Sequence, residues 1–368
     1  MRKKQQQIAP EADVTMIAVS DPSNDVHGSK AGGWRILRHL LPQKIRSKLQ
    51  ALRECQQLNS ELEAFRDEFI LEREQMRSEF KALRDELIRE WTTNFVEYKI
   101  GSVTLKLPSA HQLPNYQRDY LYYDRFLPFL TKYIDKDSVI LEVGANVGDT
   151  IAGIIQSCSN KIIAIEGHPV FYDILCKNIT TFSCADRIVS HRALAGTGKY
   201  NGTLVDNGST ASLRLDGKEN IINLDEIVLS LKQSIESIGL IIIDTDGYDG
   251  DVINSASGIV KASKPIIFWE NYFKTTDQYN DLQEAYRLLV ASDYEYFTIF
   301  DNFGIPLIVN GNIETLLNFN KYISMTQRSS IVRPSIYYTD VCATTYRYKD
   351  IVVNAIEDCY GKFSQIPI

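Results

Sequence analysis

The stretch LEVGANVGDT at residues 141–150 brings an apolar run to an acid, Glu142. It then sets Gly144 and Gly148 four residues apart around Asn146 and closes on Asp149. A glycine turn directly after an apolar strand lets backbone approach a nucleotide. Other apolar runs also end on acids. KIIAIE at 161–166 ends on Glu166, 22 residues beyond Gly144, and LIIIDTD at 240–246 ends on Asp244 and Asp246. PIIFWE at 265–270 ends on Glu270. In an open parallel sheet the ligand sits at the carboxyl ends of the strands, so these acids fall where a ligand would lie.

The turn discriminates between nucleotides. A pyrophosphate site needs G-x-G-x-x-G, whose middle glycine lets the backbone reach the phosphates; here asparagine stands between Gly144 and Gly148. Glu142 and Asp149 bracket the turn and would repel a pyrophosphate. The lysine of an ATP-binding phosphate loop is also absent. S-adenosylmethionine has no phosphate, and its sulfonium and amino groups are cationic, so an acidic glycine turn attracts it. An NAD-dependent enzyme is the reading this displaces. Glu166 is then placed to take the two ribose hydroxyls. Gly144 and Gly148 allow close cofactor approach and equally suit a tight turn before a helix. Asn146 shapes the turn with its side chain available to the cofactor. His168 either flanks the adenine or starts the next helix.

Positioning these residues falls to residues 139–309, where strand and helix alternate. The expected strands are VILEVGA, KIIAIE, RIVSHRA, LIIIDT, PIIFWE, YFTIFD and IPLIVN, with helices at 149–158, 169–181, 249–261 and 277–291. Continuous apolar strands separated by helices predict a parallel sheet covered on both faces. The link DNFG is too short for a crossover, so the last two strands are expected as an antiparallel hairpin. Further on, helices near 311–322 and 347–359 flank a strand in SIYYTDVCATT. Ahead of the sheet, FVEYKIGSVTLKLP alternates like a hairpin turning near Gly101. NYQRDYLYYDRFLPFLTKYI, after it, has a helical period.

With its motifs in this order, the chain resembles the FkbM family of S-adenosylmethionine-dependent methyltransferases over roughly residues 95–345. The family pattern runs (D/E)VGANxGD, an acid followed by proline and a helix containing asparagine, LDE, DxEGxE followed by a helix, and a strand ending in Glu. The chain supplies EVGANVGDT at 142–150, IEGHPVFYDILCKNI at 165–179, NLDEI at 223–227, IIIDTDGYDGDVINSA at 241–256 and PIIFWE at 265–270. One motif alone is weak; five in order are specific. The chain departs from the pattern where Asp246 and Asp249 replace both glutamates of DxEGxE, and where Ile242 stands in place of a frequent lysine.

The resemblance implies an α/β, Rossmann-like class I methyltransferase fold: a mostly parallel seven-stranded sheet with a terminal antiparallel hairpin. It implies O-methyl transfer to a hydroxyl of a sugar or glycan intermediate, and a role for Glu142 in binding the methionine amino group or the ribose. Transfer to a hydroxyl needs a base and an in-line arrangement of oxygen, methyl and sulfur. Asp244 is the first candidate base, then Asp246 and Glu270, all at adjacent strand ends. The same carboxylates could hold a divalent metal, but no histidine accompanies them and no metal is expected. Tyrosines at 116–123 offer an aromatic wall for a sugar, with core packing the expectation for most of them. His111 could border the acceptor pocket, and His191 is expected in the core. The alternative function is a lapsed methyltransferase-like domain serving as a coiled-coil adaptor.

Composition bounds the rest. The apolar and charged fractions, 44% and 24%, are those of a folded globular chain. A net charge of −7 argues against a nucleic-acid partner. The 6 cysteines lack metal or redox spacing and fit a reducing, cytoplasmic setting. No secretory leader or membrane-spanning run is expected.

Residues 1–42 read as a polar, disordered tail ending in a short basic amphipathic segment, WRILRHLL at 34–41. Peripheral membrane contact is the less favoured reading of that segment, against simple packing. Residues 43–92 read as one helix, with Phe65, Met76 and Leu87, and likewise Leu58, Phe69, Phe80 and Trp91, recurring every 11 residues. That period favours a straight or slightly right-handed coiled coil, and so a homo-oligomer. Residues 93–368 are then the methyltransferase-like domain with its C-terminal extension.

Overall fold

The computed structural model describes residues 42–199, 201–206, 210–328 and 336–361. The expected tail and the basic segment at 34–41 lie outside the described residues. Helix α1 (Gln43–Thr93) precedes β1 (Phe95–Ile100), β2 (Val103–Pro108), α2 (Leu113–Asp119) and α3 (Phe126–Leu130). Then follow β3 (Val139–Val143), α4 (Asp149–Ile154), β4 (Lys161–Glu166), α5 (Pro169–Ile179), β5 (Ile188–Arg192), β6 (Leu194–Ala195), β7 (Asn201–Asp206) and β8 (Ala211–Ile222). Next come α6 (Leu224–Ser230), β9 (Ile238–Ile243), α7 (Asp249–Ser255), α8 (Ser257–Ala262), β10 (Ile266–Asn271) and α9 (Thr276–Ala291). The chain continues through β11 (Tyr294–Asp301), β12 (Pro306–Gly311), α10 (Ile313–Arg328), β13 (Thr339–Thr345) and α11 (Lys349–Tyr360).

The chain divides into two units at residues 83/84. In the first, the described residues are almost entirely α1. Good helix formers and glutamine–glutamate pairs one turn apart, such as Gln50–Glu54 and Gln57–Glu61, hold it. Its apolar stripe is exposed: Leu58, Phe65, Phe69, Met76 and Phe80 each keep more than half of their surface.

The second unit is built on an eight-stranded sheet in the order β12-β11-β13-β10-β9-β3-β4-β5. β10, β9, β3, β4 and β5 pair in parallel, as their continuous apolar runs require. β11 and β12 form the antiparallel hairpin. The sheet has one strand more than the seven expected, because β13 returns from the C-terminal part and inserts antiparallel between β10 and β11. One core, on the face covered by α3, α4, α5 and α11, gathers Leu130, Ile151, Phe171 and Val352. The other, under α6 to α10, gathers Leu224, Val252, Ile259, Leu289 and Leu316. No described helix is long and apolar enough to cross a membrane.

Two local findings differ from the sequence expectation. The aromatic stretch after β2 is not one helix but α2 and α3, separated at Asp124, whose φ of +56° is left-handed. The run RIVSHRA divides into β5 and β6, and β6 joins β8 and β7 in a separate three-stranded arm.

Candidate active site

The turn after β3 is set by a close backbone approach. Gly144 has φ +89°, and a Cβ there would lie 1.8 Å from the carbonyl oxygen of Asp244. Only glycine fits, and the ends of β3 and β9 therefore touch. Asp244 N–H donates to the Val143 carbonyl at 2.9 Å, and the Gly144 and Ala145 N–H groups donate to the Ile165 carbonyl. Asn146 follows at φ +46°. Its N–H donates to Glu166 Oε2 at 2.8 Å, and the His168 N–H donates to Glu166 Oε1 at 2.6 Å. The carboxylate of Glu166 thus clasps both the turn after β3 and the start of α5. Burial pushes Glu166 up to about 7, and these N–H bonds hold it from rising further.

Glu142 lies beneath the turn, 3% exposed. Its Oε2 has no hydrogen-bond partner. Burial first, then the charge of Asp149, pushes it well above the ordinary range, against a hydrogen bond from Thr150. A buried carboxylate oxygen without a partner is uncommon and leaves an acceptor unused. Gly148, at φ +88°, caps α4, and Asp149 opens that helix. Asp149 is raised by burial and lowered by His111. His111 is itself buried and lowered by that burial, with Asp149 and an Asn146 hydrogen bond opposing. His111 therefore borders the turn after β3. His168 is the N-cap of α5 and packs its ring 4.6 Å from Phe171. His191 lies half-exposed in β5, opposite Ile165 of β4, rather than in the core.

One cleft joins the two sets of residues. It encloses about 700 Å³ of space open to solvent, and is lined by Gly144, Asn146 and Glu166 on one side and by Asp244, Asp246 and Tyr248 on the other. Phe171, Leu194, Leu204 and Leu213 give it an apolar wall. The last three belong to the β6–β8–β7 arm, which the sequence reading passed over. Tyr248 Oη ties the arm down by donating to the Leu213 carbonyl at 2.9 Å.

The loop after β9 turns through two left-handed residues, Asp246 at φ +51° and Gly247 at φ +98°. Such backbone in a non-glycine residue costs energy and recurs at functional sites. Asp244 faces the water of the cleft. Loss of water to the surrounding protein, then the charges of Asp246, Asp249, Asp124 and Asp340, hold it well above the ordinary carboxylate range. Its exposure tempers that rise without reversing it. Asp246 is raised by burial, with Lys274 and a Thr210 hydrogen bond opposing. Glu270 is raised well above its ordinary value by burial and then by Asp244, Asp249, Asp246 and Asp340.

Asp249, at the end of the DxDGxD motif, is buried and accepts from Thr245 Oγ1 at 3.0 Å and from Gly247 N–H at 3.2 Å, so it braces the loop. Asp225 of the LDE motif is structural, accepting the N–H groups of Gly258 and Ile259 at the start of α8. Two acids outside any motif belong to the same surroundings. Asp340 pairs directly with Glu270 across β13 and β10. Asp124 is raised to about 7 by loss of water and by Asp149. No residue-type signal marked either acid, because strand pairing and a tight turn bring them in. The tyrosines at 116–123 divide: Tyr123 packs against the core as expected, and two do not. Tyr116 and Tyr120 are exposed, Tyr120 stacks on Phe303 at 4.3 Å, and Tyr116 tilts on Tyr123 at 5.3 Å. No group of three or more His, Cys, Asp or Glu among the described residues is disposed to hold a metal.

Residues 142–296 match the family described as Methyltransferase FkbM domain. No curated protein matches the chain. Among solved structures, the chain is similar to the methyltransferase FkbM from Methylobacillus flagellatus KT, at 19% identity and a TM-score of 0.34, over 45% of this chain and 40% of that one. The match thus spans less than half of that protein's length. It is also similar to an O-methyltransferase from Bacillus cereus in complex with SAH (16% identity, TM-score 0.37, 60% and 80% of the two chains). A third is TYW2 from P. horikoshii in complex with MeSAdo (13% identity, TM-score 0.39, 68% and 71%). The matched stretch, residues 142–296, contains all five sequence motifs, and the family it matches is that of the methyltransferase FkbM domain.

Proposed function

We propose that this protein is an S-adenosylmethionine-dependent O-methyltransferase acting on a hydroxyl of a sugar or glycan intermediate. The observation that carries the reading is the shared cleft. The acidic glycine turn and the Asp244–Asp246 loop line one cavity at the carboxyl ends of β3, β4 and β9. The residues fit the cofactor. Glu142 Oε2 is an unfilled acceptor for an ammonium, Glu166 keeps lone pairs for the ribose, and the wall of Phe171, Leu204 and Leu213 suits an adenine. When bound, S-adenosylmethionine supplies an electrophilic methyl group and leaves as the neutral thioether. The chain's own residues orient the acceptor and take its proton. Asp244 is the first base, since it adjoins the cofactor turn and lines the cleft. The flanking tyrosines support the sugar reading, because flat rings pack on the apolar faces of pyranoses.

Isothermal titration with S-adenosylmethionine tests the cofactor. Mass spectrometry of cell-surface glycans, with and without the protein, tests the acceptor. No binding at millimolar cofactor would sink the reading. Asp244→Asn should keep cofactor binding while turnover falls by about 10²–10⁴-fold, the usual contribution of a general base.

The exposed stripe on α1 supports a second part of the proposal, self-association through residues 43–92. A helix with one apolar stripe must bury it. Sedimentation velocity checks this: Phe65→Lys with Phe69→Lys should yield a monomer that still binds cofactor.

A further inference from the structure

Among the described residues β2 has a strand partner on one edge only, β1. Alternate residues of a paired strand turn both backbone groups away from the partner, and on the open edge of β2 a side chain meets them. Asn178, the asparagine of the motif at 165–179, accepts the Lys106 N–H at 2.9 Å through Oδ1 and donates to the Lys106 carbonyl at 3.1 Å through Nδ2. The same Nδ2 donates its second hydrogen to the Val147 carbonyl at 2.9 Å. Asn178 is 1% exposed, so these bonds are made away from water. Turning the amide over would set Oδ1 against two carbonyl oxygens, so the three partners admit one orientation.

Val147 lies in the turn after β3, between Asn146 at φ +46° and Gly148 at φ +88°. The Gly148 N–H donates to the Ala145 carbonyl at 2.8 Å. The peptide that joins Val147 to Gly148 is therefore held at both polar ends, its N–H by Ala145 and its C=O by Asn178. Glycine populates both signs of φ, so nothing intrinsic to Gly148 stops that peptide from turning over; the bond from Asn178 opposes it. Leu175, three residues earlier and so on the same face of α5, packs against the turn as well: a Cβ on Gly148 would meet its Cδ1 at 2.9 Å. Asn146, one residue before Val147, lines the cleft with Gly144. A buried amide behind the turn thus sets the plane of a peptide beside a residue that faces the cleft.

A second amide holds the same hairpin without holding the turn after β3. Gln156, just beyond α4, accepts the Ser102 N–H at 2.8 Å and donates to the Ile100 carbonyl at 2.8 Å. Its other partners are the Ser102 hydroxyl and the Ala152 carbonyl. Loosening the hairpin is common to both amides, whereas the Val147 carbonyl belongs to Asn178.

We infer that Asn178 is a positioning residue for the cofactor: through the Val147 carbonyl it holds the turn after β3 in the shape that accepts S-adenosylmethionine, and through Lys106 it fastens that shape to the β1–β2 hairpin. This rests on the methyltransferase reading above. Isothermal titration of the full chain with S-adenosylhomocysteine tests it, because affinity and stoichiometry are read separately and stoichiometry counts only competent sites. Asn178→Asp keeps the side chain's shape and its acceptor for the Lys106 N–H but, ionised, donates to neither carbonyl; Asn178→Ser withdraws the amide altogether. Both should weaken S-adenosylhomocysteine at least about threefold at unchanged stoichiometry, the effect of losing one neutral hydrogen bond. Gln156→Leu should lose stability in urea yet keep the affinity within about twofold. If the wild-type chain does not bind S-adenosylhomocysteine, the methyltransferase reading falls and this inference with it. If the wild type binds and the Asn178 variants lose stoichiometry, or the fold itself, without losing affinity, Asn178 serves the fold alone and only this inference is overturned. An equal loss of affinity in Gln156→Leu overturns it too, by assigning the effect to the hairpin.

Discussion

The carboxylate of Glu166 accepts the backbone N–H of Asn146 at 2.8 Å, and so ties the turn after β3 to the end of β4. Its other oxygen takes the N–H of His168. Glutamine at this position can accept with only one of its two head-group atoms, so one buried N–H would face an NH₂. Such an unsatisfied donor costs about 1–3 kcal/mol. Glu166→Gln should therefore lower the free energy of unfolding in urea by that amount and weaken S-adenosylmethionine about tenfold, since the turn loosens. Wild-type stability and affinity in this variant would show that the clasp contributes nothing.

The same burial sets a pH dependence. Burial raises Glu166 from 4.5 and Asp249 from 3.8, each to about 7. Between those ordinary values and about 7, the folded chain holds protons that the unfolded chain has released. This contribution to stability is complete below the ordinary values and is lost as pH rises towards 7. Urea unfolding of the ligand-free protein should show the component, and Asp249→Asn should flatten the fall between pH about 4 and 7. An unchanged slope in that variant counts against the protonated buried acid.

Gly144 is a position where the fold tolerates no side chain. Its φ of +89° already disfavours alanine, and the added Cβ would meet the Asp244 carbonyl at 1.8 Å. Backbone strain and overpacking each cost about 1–3 kcal/mol. Gly144→Ala should destabilise the protein by at least about 2 kcal/mol and displace Asp244, so that turnover falls even where the protein remains folded. Equilibrium unfolding together with single-turnover methylation separates the two losses.

The central strands and most of the cofactor turn were legible because they are local. VILEV, KIIAIE and IGLIII are continuous apolar runs, and the glycines that bracket Asn146 announce a backbone that approaches something closely. Residues 194–222 were less legible. LRLDGKE alternates, but Arg214, Asp216 and Lys218 interleave charges with its apolar residues, and the arm becomes a sheet only by pairing β7 with β8. Asp340 was invisible for a related reason. Nothing near it in sequence marks it, and it reaches Glu270 only because β13 inserts between β10 and β11. Local chemistry is written in adjacent residues; partners across strands are settled by the topology.

The arm gives the last prediction. Tyr248 Oη donates to the Leu213 carbonyl at 2.9 Å, and both residues line the cleft. The base of the arm has separate anchors: Thr197 bonds both oxygens of Asp251, and Lys199 pairs with Asp281 and Glu284. Tyr248→Phe therefore frees the wall of the cleft without freeing the base. A neutral hydrogen bond contributes about 0.5–1.5 kcal/mol net, and the Leu213 carbonyl can turn to water when the bond is gone. Unfolding in urea should shift by less than about 1.5 kcal/mol. Release of S-adenosylhomocysteine, followed by stopped flow, should quicken by roughly 2–10-fold, because the apolar wall contributed by Leu204 and Leu213 must part for the adenine to leave. Unchanged release would mean the arm lines the cleft without retaining what occupies it.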